Sequence, residues 1–585
     1  MMIAVVLSSN IKRMVRDNVL VRKPVGIEAA GSMNLLFTDK TGTLTEGQMR
    51  LDSIIISDAS SVSTPAALFS RSQALGALYA SSCRYNTMSA VAHSQIVGGN
   101  ATDRALLASV LSIRESERLT LGTKLPFDSN IKMSAAEIRS RTERYVLIKG
   151  APERLLPHVV NCVLPNGTLS DFSPLRKAFE QRLQTLAADG KRVLLIAKSD
   201  KIPSAAGIGA LTLVCAVSLA DPLRSQARRS VAELHTAGIG VVMITGDGKG
   251  TATAIARESG IIHGERRLVL EGADLCYMSD GEIAEILPRL AVIARAMPTD
   301  KSRLVRIAQG LDMVVGMTGD GINDAPALKA ADIGFSMGSG NDVARDAGDI
   351  IILDNDLASI AKAVLYGRNI FKSIRKFITL QLTMNFCAVG VSMIGPFIGI
   401  EAPVTVVQML WINIIMDTLG GLAFAGEAAS PLCMKEPPKR RDEPILNGYM
   451  INQIVILGGF TIAMCIFFLI SPDVCLHFRY SSDNLILLTA FFALFIFTSV
   501  FNCFNCRSDR LKMLSGLSKN PAFIAIMLLI LTVQIAFIYL GGTVLRTSPL
   551  TFKELLTVFL MSLTVFPVDF LRRLIWRLSG KKQGF

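Results

Sequence analysis

A carboxylate followed at once by a cation stands at the end of an apolar run near the start of the chain. The run covers residues 35–38 and leads into Asp39, Lys40 and Thr41. This pattern predicts a buried parallel strand that ends at the carboxyl edge of an open α/β sheet, where such folds place their chemistry. A carboxylate beside backbone N–H donors and a lysine can accept a phosphoryl group covalently. Asp39 is therefore the candidate nucleophile.

Several later apolar runs also end in residues that could do chemistry. The runs cover residues 216–220, 241–244, 291–294 and 313–317, and spacers of helix length separate them. Such alternation predicts βαβ units and a parallel sheet, whose strands end at one common edge. We therefore expect a shared site near Asp39. The residues that these segments bring toward it are Thr245, Gly246, Asp247, Lys301, Asp320, Asn323 and Asp324.

The residue types at this edge match what phosphoryl transfer requires. The reaction needs a nucleophile, neutralisation of charge over the equatorial oxygens, and in-line positioning. Asp39 supplies the nucleophile, and Lys301 supplies positive charge. Asp39 and Asp320 together could hold Mg²⁺, an ion that prefers a few carboxylates together with phosphate and water oxygens. The sequence therefore predicts a magnesium-dependent site.

Composition divides the chain into two unlike parts. At 585 residues it is too long for one domain, and it carries a net charge of +13 with 50% hydrophobic residues. Up to about residue 365 it mixes charges, glycines and short apolar runs, as α/β domains do. Beyond that point long apolar stretches take over. Many lysines and arginines flank those stretches, so the positive charge indicates a membrane protein and no nucleic-acid partner.

Six apolar stretches have the length that crosses a lipid bilayer, which is about 20 residues. An even number of crossings returns the end of the chain to the side on which it entered. The basic residues between the stretches place that side, with the catalytic part, in the cytoplasm. The expected helices cover about 376–400, 404–426, 450–471, 484–503, 521–542 and 552–572.

The segment from Leu35 to Thr45 resembles the phosphorylation motif of P-type ATPases, and the later motifs follow in the order of that family over nearly the whole chain. The resemblance implies a haloacid-dehalogenase-like α/β phosphorylation domain, an inserted α+β nucleotide-binding domain and an all-α transmembrane bundle. It also implies an enzyme that uses ATP as substrate and Mg²⁺ as cofactor. The implied parts are 1–30 (end of a membrane helix and stalk), 31–46 and 214–365 (phosphorylation domain), 47–213 (nucleotide-binding domain) and 366–585 (transmembrane domain).

The same resemblance assigns roles around the nucleophile. Lys40, Thr41 and Asp247 join the catalytic set. The backbone carbonyl of Thr41 would complete the Mg²⁺ site that Asp39 and Asp320 begin. The remaining members are Thr245 and Gly246, which would hydrogen-bond the phosphoryl group, and Asn323 with Asp324, which would orient neighbouring groups.

Thr41 separates two kinds of enzyme on this fold. Soluble phosphatases of the superfamily usually place a second aspartate two positions after the nucleophile, where it acts as general acid and base. A threonine cannot do that work near neutral pH, so a phosphate on Asp39 should persist. A long-lived phosphoenzyme suits an ion pump, which needs time for a conformational step.

Aromatic and basic residues in the inserted segment suit ATP. An aromatic ring can stack on adenine, and lysine or arginine can bind phosphates. The segment resembles the nucleotide-binding domain of calcium pumps, which implies that Phe127 stacks on the base. The rest of the implied ATP-binding set is Asp103 and Lys132 in the wall of the pocket, Lys149 and Gly150 in its floor, and Arg192 and Arg295.

Polar residues in the first two expected membrane helices are candidate cation ligands, because burying them in a bilayer is costly. Asn413 and Asp417 are four positions apart, hence on one helix face, and Asn385 lies in the preceding helix. One carboxylate and two amides supply the hard oxygen atoms that suit Ca²⁺. The sequence therefore favours Ca²⁺ as the transported cation.

At these positions the chain resembles the plasma-membrane-type calcium pumps. Calcium pumps with two ion sites carry a glutamate and a threonine where this chain has Ala388 and Met416. The difference implies one Ca²⁺ per ATP. The tail after Arg573 is short, which indicates a microbial member of the group, in the plasma membrane, without the calmodulin-binding extension of animal pumps.

Two other interpretations remain open. The same machinery could carry another cation, such as Mn²⁺ or a monovalent ion. In addition, the family's Pro-Glu-Gly-Leu-Pro and Thr-Gly-Glu strings occur nowhere in the sequence. We therefore expect the C-terminal portion of a pump, with the N-terminal segments missing. Such a portion could bind ATP and phosphorylate itself at Asp39 without transporting an ion.

Overall fold

The protein is described here from a computed structural model. It covers residues 2–93, 95–114, 119–128, 130–140, 143–203, 207–263, 267–400, 403–427, 429–481, 484–508, 511, 516–517 and 520–580. Within these residues the chain forms sheets of eight and nine strands, a two-stranded hairpin and a bundle of long apolar helices.

Strand Leu35–Asp39 lies inside the eight-stranded sheet, between Gly240–Ile244 and Val315–Gly319. Both neighbours run parallel to it, so their carboxyl ends meet at the same edge as Asp39. Leu36 and Phe37 point to opposite faces and are both fully buried, as in a sheet covered on both sides. In spatial order the strands are Val19–Val21, Ile350–Ile352, Ile333–Met337, Val315–Gly319, Leu35–Asp39, Gly240–Ile244, Leu290–Ala294 and Leu268–Glu271.

One edge of this sheet comes from the beginning of the chain. Strand Val19–Val21 pairs antiparallel with Ile350–Ile352. It lies between helix Met2–Arg16 and helix Val25–Ser32. The segment that we assigned to a membrane-helix end and a stalk therefore also contributes to the sheet. Three residues are too few to show a strand period in the sequence.

The inserted segment forms a second, largely antiparallel sheet. Strand Leu211–Ala220 belongs to it and pairs with Arg50–Ile55 and Arg192–Ser199. The sequence analysis placed residues 216–220 in the first sheet, and that prediction is wrong. An apolar run indicates that a strand is buried but not which sheet it joins. The nine strands are Arg50–Ile55, Ser61–Val62, Thr120–Asp128, Met133–Arg139, Arg144–Gly150, Val159–Val163, Leu169–Asp171, Arg192–Ser199 and Leu211–Ala220, and the separate hairpin is Ser89–Ala92 with Gln95–Gly98.

Short helices connect the strands of both sheets. Helix Ala101–Val110 begins after Asn100, whose side chain accepts the N–H of Asp103 at 2.8 Å and caps the helix. The other helices of this part are Pro65–Arg71, Gln73–Tyr85, Pro152–Leu155, Ser173–Ala188, Ala227–Thr236, Lys249–Glu258, Gly272–Tyr277, Asp280–Ile286, Pro298–Gly310, Ala325–Ala330 and Asp342–Ala347.

Six helices among the described residues are long and apolar enough to cross a membrane. The first, Leu357–Ile394, is continuous and packs against helix Val25–Ser32 beside the first sheet. The contact is close, since a Cβ built on Gly31 would lie 2.7 Å from the carbonyl carbon of Gly367. The other five spans are Val406–Ala425, Gly448–Ile470, Leu485–Arg507, Pro521–Leu540 and Phe552–Leu578.

Arg368 joins the sheet to the membrane helices. It lies on the first long helix, and its buried guanidinium donates to four backbone carbonyls from three segments. The acceptors are Gly31 O at 3.3 Å, Ala237 O at 2.8 Å, Cys433 O at 2.9 Å and Glu436 O at 2.7 Å. The predicted fold class is confirmed, with a mainly parallel α/β sheet, an inserted α+β domain and a bundle of apolar helices long enough to cross a membrane.

Candidate active site

The Asp39 carboxylate lies at the carboxyl end of the central strand, where backbone groups fix it. Its Oδ1 accepts the N–H of Lys40 at 2.7 Å. Its own N–H donates to Thr318 Oγ1 at 3.0 Å. Thr318 is fully buried in the neighbouring parallel strand, so strand pairing sets the position of the carboxylate. The sequence analysis missed Thr318, although it opens a Thr-Gly-Asp string like that of residues 245–247.

Lys301 lies between two carboxylates. Its Nζ is 2.6 Å from Asp324 Oδ1 and 3.4 Å from Asp39 Oδ2. It is carried by helix Pro298–Gly310, in which a proline occupies the first turn. Burial opposes its charge, but the two carboxylates outweigh burial and raise the pKa of Lys301 above its ordinary value. The side chain therefore stays cationic.

Three carboxylates converge at this edge. Asp39, Asp320 and Asp324 offer oxygen atoms that all lie within 4.8 Å of one another. Asp324 also accepts the N–H groups of Asp320 and Gly321 at 3.3 and 3.1 Å. With its bond from Lys301, Asp324 is therefore held by several protein donors.

Burial changes the acidity of the cluster. It raises the pKa of Asp39 from 3.8 to about 6, with Asp324 and Asp320 adding to the rise and Lys301 opposing it. Burial and Asp324 also raise the pKa of Asp320. Burial is the main cause of both shifts, and repulsion between the neighbouring carboxylates adds to it. A divalent cation would offset that repulsion.

The loop after the nucleophile turns at Gly42. This residue has φ +74°, and a Cβ there would lie 2.9 Å from Asp320 Oδ2. Glycine is therefore needed both for the backbone conformation and for the space. Arg224 fixes the loop, because its guanidinium donates to the carbonyls of Gly42 at 3.1 Å and Thr45 at 3.2 Å. The sequence analysis missed Arg224, which follows the acidic turn at Asp221.

The side chain of Lys40 pairs with Asp247, at 2.6 Å between Nζ and Oδ2. Asp247 follows strand Gly240–Ile244, and its N–H donates to the buried Thr245 Oγ1 at 3.1 Å. A Cβ built on Gly246 would meet no atom within 4 Å. The loop thus leaves open space beside its backbone. Of the remaining predicted residues, Thr41 and Asn323 are exposed at the same edge.

A second group of predicted residues meets in the inserted sheet. Lys149 Nζ lies 2.6 Å from Asp103 Oδ1 and 2.8 Å from the carbonyl oxygen of Asn86. The N–H of Met88 donates to Asp103 Oδ2 at 3.2 Å. The lysine and aspartate side chains are only 5% and 4% exposed. A buried ion pair needs such additional hydrogen bonds to be tolerated.

Other members of the predicted ATP-binding set lie on or next to strands of the same sheet. A Cβ built on Gly150 would lie 2.8 Å from the carbonyl oxygen of Lys132, which leaves room for glycine alone. Arg192 donates to Thr102 Oγ1 at 3.2 Å, one residue before Asp103. Phe127 is 43% exposed, so its ring has a free surface.

Arg295 lies apart from that group. It follows strand Leu290–Ala294 of the first sheet, and its N–H donates to the carbonyl of Asp247 at 2.9 Å. Its guanidinium is 4.0 Å from Glu271 and is largely exposed. The structure therefore places Arg295 beside the edge that carries Asp39.

The predicted cation ligands lie on the first two membrane helices. Asn385 and Asn413 are both exposed on the described bundle. Helix Val406–Ile414 passes into a π-helical turn over Ile415–Gly420, a distortion that is frequent at functional sites. Asp417 lies in the π-turn, and its side chain is outside the described part of the chain.

Two protein families match the chain. Residues 33–332 match the haloacid dehalogenase-like hydrolases, and residues 401–575 match the C-terminus of cation transporting ATPases. Similar proteins include "Probable calcium-transporting ATPase 6, plasma membrane-type" of Oryza sativa subsp. japonica, 33% identical over 92% of this chain. "Plasma membrane calcium-transporting ATPase 3" of Homo sapiens is 33% identical over 94% of the chain, and "Calcium-transporting ATPase PAT1" of Dictyostelium discoideum is 32% identical over 98%.

These matches cover 55%, 49% and 56% of the three relatives, so the chain spans about half the length of the curated relatives it matches. The first family match includes Asp39, Lys301 and Asp320. The second lies over the apolar helices, which are those of a multi-pass membrane protein. The chain therefore belongs to the haloacid dehalogenase-like hydrolase family and also carries a domain that matches the C-terminus of cation transporting ATPases.

Proposed function

We propose that this chain provides the phosphorylation, nucleotide-binding and C-terminal membrane parts of a pump that uses ATP to move Ca²⁺ across a membrane. The observation that carries the proposal is the arrangement at Asp39. A nucleophile with a pKa of about 6 lies 3.4 Å from a cationic lysine and within 4.8 Å of two further carboxylates. This arrangement favours transfer of a phosphoryl group to Asp39.

In the proposed step a carboxylate oxygen of Asp39 attacks the γ-phosphorus of ATP. An O–P bond forms, the bond to the bridging oxygen breaks, and its electron pair leaves with ADP. No general base is required, because a carboxylate with a pKa of about 6 is mostly ionised at neutral pH. Lys301 stays cationic beside the equatorial oxygens, where charge is spread in the transition state. Asp324 holds Lys301 in place through the 2.6 Å bond.

Mg²⁺ would be held by Asp39 and Asp320, with the carbonyl of Thr41 as the expected third ligand. Two observations support the fit. The donors are carboxylates with raised pKa values, which a divalent cation would neutralise. The absence of a Cβ on Gly42 keeps the space before Asp320 open. When bound, Mg²⁺ supplies positive charge against the phosphate oxygens.

Three other groups at the edge have proposed roles. Thr245 and Gly246 would hydrogen-bond the phosphoryl group in the open space beside their loop. Asp247 anchors Lys40, whose N–H fixes the nucleophile. Thr41 offers no general base to water, so the aspartyl phosphate would outlast the transfer step.

In the proposed nucleotide site Phe127 stacks on adenine beside the buried Lys149–Asp103 pair. Lys132 would line the wall of the pocket and Gly150 its floor, and the carbonyl oxygen of Lys132 lies close to Gly150. The arginines would bind phosphates. Arg192 would do so from the inserted sheet, and Arg295 from the edge that carries Asp39.

For the cation we propose Asn385, Asn413 and Asp417 as ligands, with one Ca²⁺ moved per ATP in the plasma membrane of a microbe. The similar proteins are named as calcium-transporting ATPases, which supports Ca²⁺. The π-turn that contains Asp417 supports a cation site at that point of the second membrane helix.

Acid-stable labelling tests the catalytic part of the proposal. Membranes that contain the protein are incubated with γ-labelled ATP, Mg²⁺ and Ca²⁺, and then quenched in acid. The protein should incorporate label, and Asp39→Asn should abolish it. Asp312→Asn is the control, because Asp312 is exposed and has φ +57°, a conformation that asparagine tolerates. Labelling that persists in Asp39→Asn would refute the assigned nucleophile.

The same assay distinguishes the cations. Labelling should require Ca²⁺, and Asn413→Ala should raise the Ca²⁺ concentration needed. Thr532→Ala is a matched control, since Thr532 is exposed on a membrane helix and its hydroxyl only donates to Leu528 O at 2.8 Å. Stronger labelling with Mn²⁺ or with a monovalent ion than with Ca²⁺ would identify that ion as the transported cation.

A further inference from the structure

Two of the five histidines of the chain lie side by side next to the first sheet. The ring centres of His235 and His263 are 4.6 Å apart, and the planes of the two rings are inclined at 45°. His235 belongs to the last turn of helix Ala227–Thr236, and His263 follows helix Lys249–Glu258. The rings come from different elements, so the packing of the fold brings them together.

The pair lies at the amino edge of the sheet, opposite to the edge that carries Asp39. Strand Gly240–Ile244 separates the two helices along the chain. The first helix ends just before this strand begins, and the second helix runs back from the carboxyl end of the strand. The two histidines therefore form a group of their own, outside the proposed catalytic, nucleotide and cation sites.

The ring of His263 is oriented as in a metal ligand. Its Nδ1 lies 3.1 Å from the carbonyl oxygen of Gly260. A carbonyl can only accept a hydrogen bond, so Nδ1 carries the proton and Nε2 keeps a lone pair. Histidines that bind metals almost always make such a bond with their other ring nitrogen.

The buried nitrogen of His235 also suits a metal ion. His235 Nε2 is buried and has no hydrogen-bond partner among the described residues, which costs stability. Burial, together with His263 and Arg267, lowers the pKa of His235 to about 4. The ring is therefore neutral at pH 7, and the neutral imidazole is the form that binds metals.

We infer that His235 and His263 together bind a divalent transition-metal ion of the class that prefers imidazole, such as Cu²⁺ or Zn²⁺. A Zn–N bond is about 2.0–2.1 Å long, so two nitrogens on one ion lie within about 4 Å of each other. Rings whose centres are 4.6 Å apart are close enough to meet this condition. An ion reaches the pair from solvent, because His263 is exposed.

Water would complete the coordination. Within the described part of the chain, only Asp39, Asp320 and Asp324 form a group of three or more possible metal ligands. The histidine pair therefore supplies two protein ligands and leaves the other positions to solvent. Such a site is expected to exchange its ion and not to hold the fold together.

The experiment measures metal binding by the full chain in detergent, prepared without a polyhistidine tag and freed of metal by a chelator. Mg²⁺ is present in excess, because it fills carboxylate sites and does not compete for imidazole. Alkylation first blocks the exposed Cys276, whose thiol would also bind metal. Cu²⁺ is then added at less than one equivalent, and we expect its EPR spectrum to show coupling to two imidazole nitrogens. Equilibrium dialysis measures the affinity for Zn²⁺.

His263→Gln tests the pair with little risk to the fold, because His263 is exposed. It should lose one nitrogen coupling and weaken Zn²⁺ binding by more than about 10-fold, since loss of a residue that merely supports a metal ligand already has that effect. His235→Gln should do the same. His477→Gln is the matched control, because His477 is exposed and its Nδ1 lies 2.8 Å from the carbonyl oxygen of Asp473, but it is not part of the pair.

A Cu²⁺ spectrum without imidazole nitrogens would overturn the inference. Zn²⁺ binding by His263→Gln that equals binding by the unmodified protein would also overturn it. The thermal unfolding midpoint without metal verifies that each variant is folded, and His263→Gln decides alone if His235→Gln is unfolded. None of these measurements depends on ATP binding or on Ca²⁺ transport, so the inference and the proposed function succeed or fail independently.

Discussion

The Nζ atom of Lys301 lies 3.4 Å from Asp39 Oδ2, at the long end of the ion-pair range. A shorter bond of 2.6 Å to Asp324 Oδ1 determines where the ammonium lies. The lysine is thus held by Asp324 and remains close to the nucleophile without a short bond to it. This arrangement leaves its charge available for the equatorial oxygens of a transferring phosphoryl group.

Replacing Lys301 by methionine should slow phosphoenzyme formation. The variant keeps the length of the side chain and removes the charge. Loss of one preorganised group at a developing charge costs about 10²-fold to 10³-fold in rate. Rapid-quench labelling with γ-labelled ATP measures the change. Lys329→Met is the control, since Lys329 is an exposed lysine of the same domain. An unchanged rate in Lys301→Met would contradict the assigned role.

Phosphoenzyme formation should depend on pH through Asp39. Only the ionised carboxylate attacks, and its pKa is raised by burial to about 6. In the absence of Mg²⁺ the ionised fraction therefore falls as the pH drops through 6, and bound Mg²⁺ should move this midpoint lower. Titration of the Asp39 carboxyl by infrared spectroscopy at several Mg²⁺ concentrations measures both effects. A midpoint near 4 without Mg²⁺ would contradict the effect of burial.

The same carboxylate should make the fold less stable at neutral pH. Its folded pKa of about 6 lies above the ordinary 3.8, so the folded state binds the proton more tightly than the unfolded state. The contribution of Asp39 to stability therefore improves as the pH falls from above 6 toward 4. At pH 7 the ionised group costs about 2–3 kcal/mol.

Asp39→Asn should remove that cost and raise the thermal unfolding midpoint at pH 7 without Mg²⁺. The gain should shrink as the pH falls toward 4, where Asp39 is protonated in the folded state and partly protonated in the unfolded state. Asp312→Asn should change the midpoint little at either pH, because Asp312 is exposed. A lower midpoint for Asp39→Asn than for the control would contradict this account.

Gly42→Ala should weaken both the loop and the metal site. A residue with a Cβ is strained at φ +74°, and this Cβ would lie 2.9 Å from Asp320 Oδ2. The expected cost in unfolding free energy is about 1–2 kcal/mol. The Mg²⁺ concentration that supports half-maximal labelling should rise. Gly281→Ala is the control, since a Cβ there would meet no atom within 4 Å and lies in a helix.

The Lys149–Asp103 pair allows folding and nucleotide binding to be separated. Lys149→Met leaves a buried carboxylate without its partner, and removing one member of such a pair costs about 3–5 kcal/mol. The double variant Lys149→Met, Asp103→Asn should recover much of that stability, because no buried charge remains. It should not recover ATP affinity, because the charged floor of the pocket is lost.

Thermal unfolding and displacement of a fluorescent ATP analogue measure the two effects on the same samples. The matched control is Lys198→Met. Lys198 pairs with the exposed Glu143, so its loss should cost little stability and should leave ATP affinity unchanged. Full recovery of ATP affinity in the double variant would show that the pair serves only the fold.

Much of this architecture could be predicted because it depends on local pattern. The strand that ends at Asp39 is a short apolar run, and the membrane helices are apolar stretches of spanning length. The Asn100 cap is equally local, since this side chain bonds to a residue only three positions farther along the chain. The spacing of apolar residues, the length of an apolar run and a helix cap each involve only a few turns of helix or one strand. They can therefore be recognised in the sequence itself.

The tertiary structure decided which distant residues become partners. Asp39 takes its position from Thr318, 279 residues away, and Lys301 takes its position from Asp324. Lys40 pairs with Asp247. None of these pairings has a local signature, because the order of strands and not the spacing along the chain brings the partners together.

The same limit explains the strands that the sequence analysis misplaced or missed. Leu211–Ala220 joins the inserted sheet, and Val19–Val21 closes one edge of the first sheet. The raised pKa of Asp39 is likewise a property of the folded state, since it requires burial and two neighbouring carboxylates. The sequence thus determined which groups could react, and packing determined their distances and their acidity. Coulombic interaction and desolvation depend on separation in space, which a linear pattern does not contain.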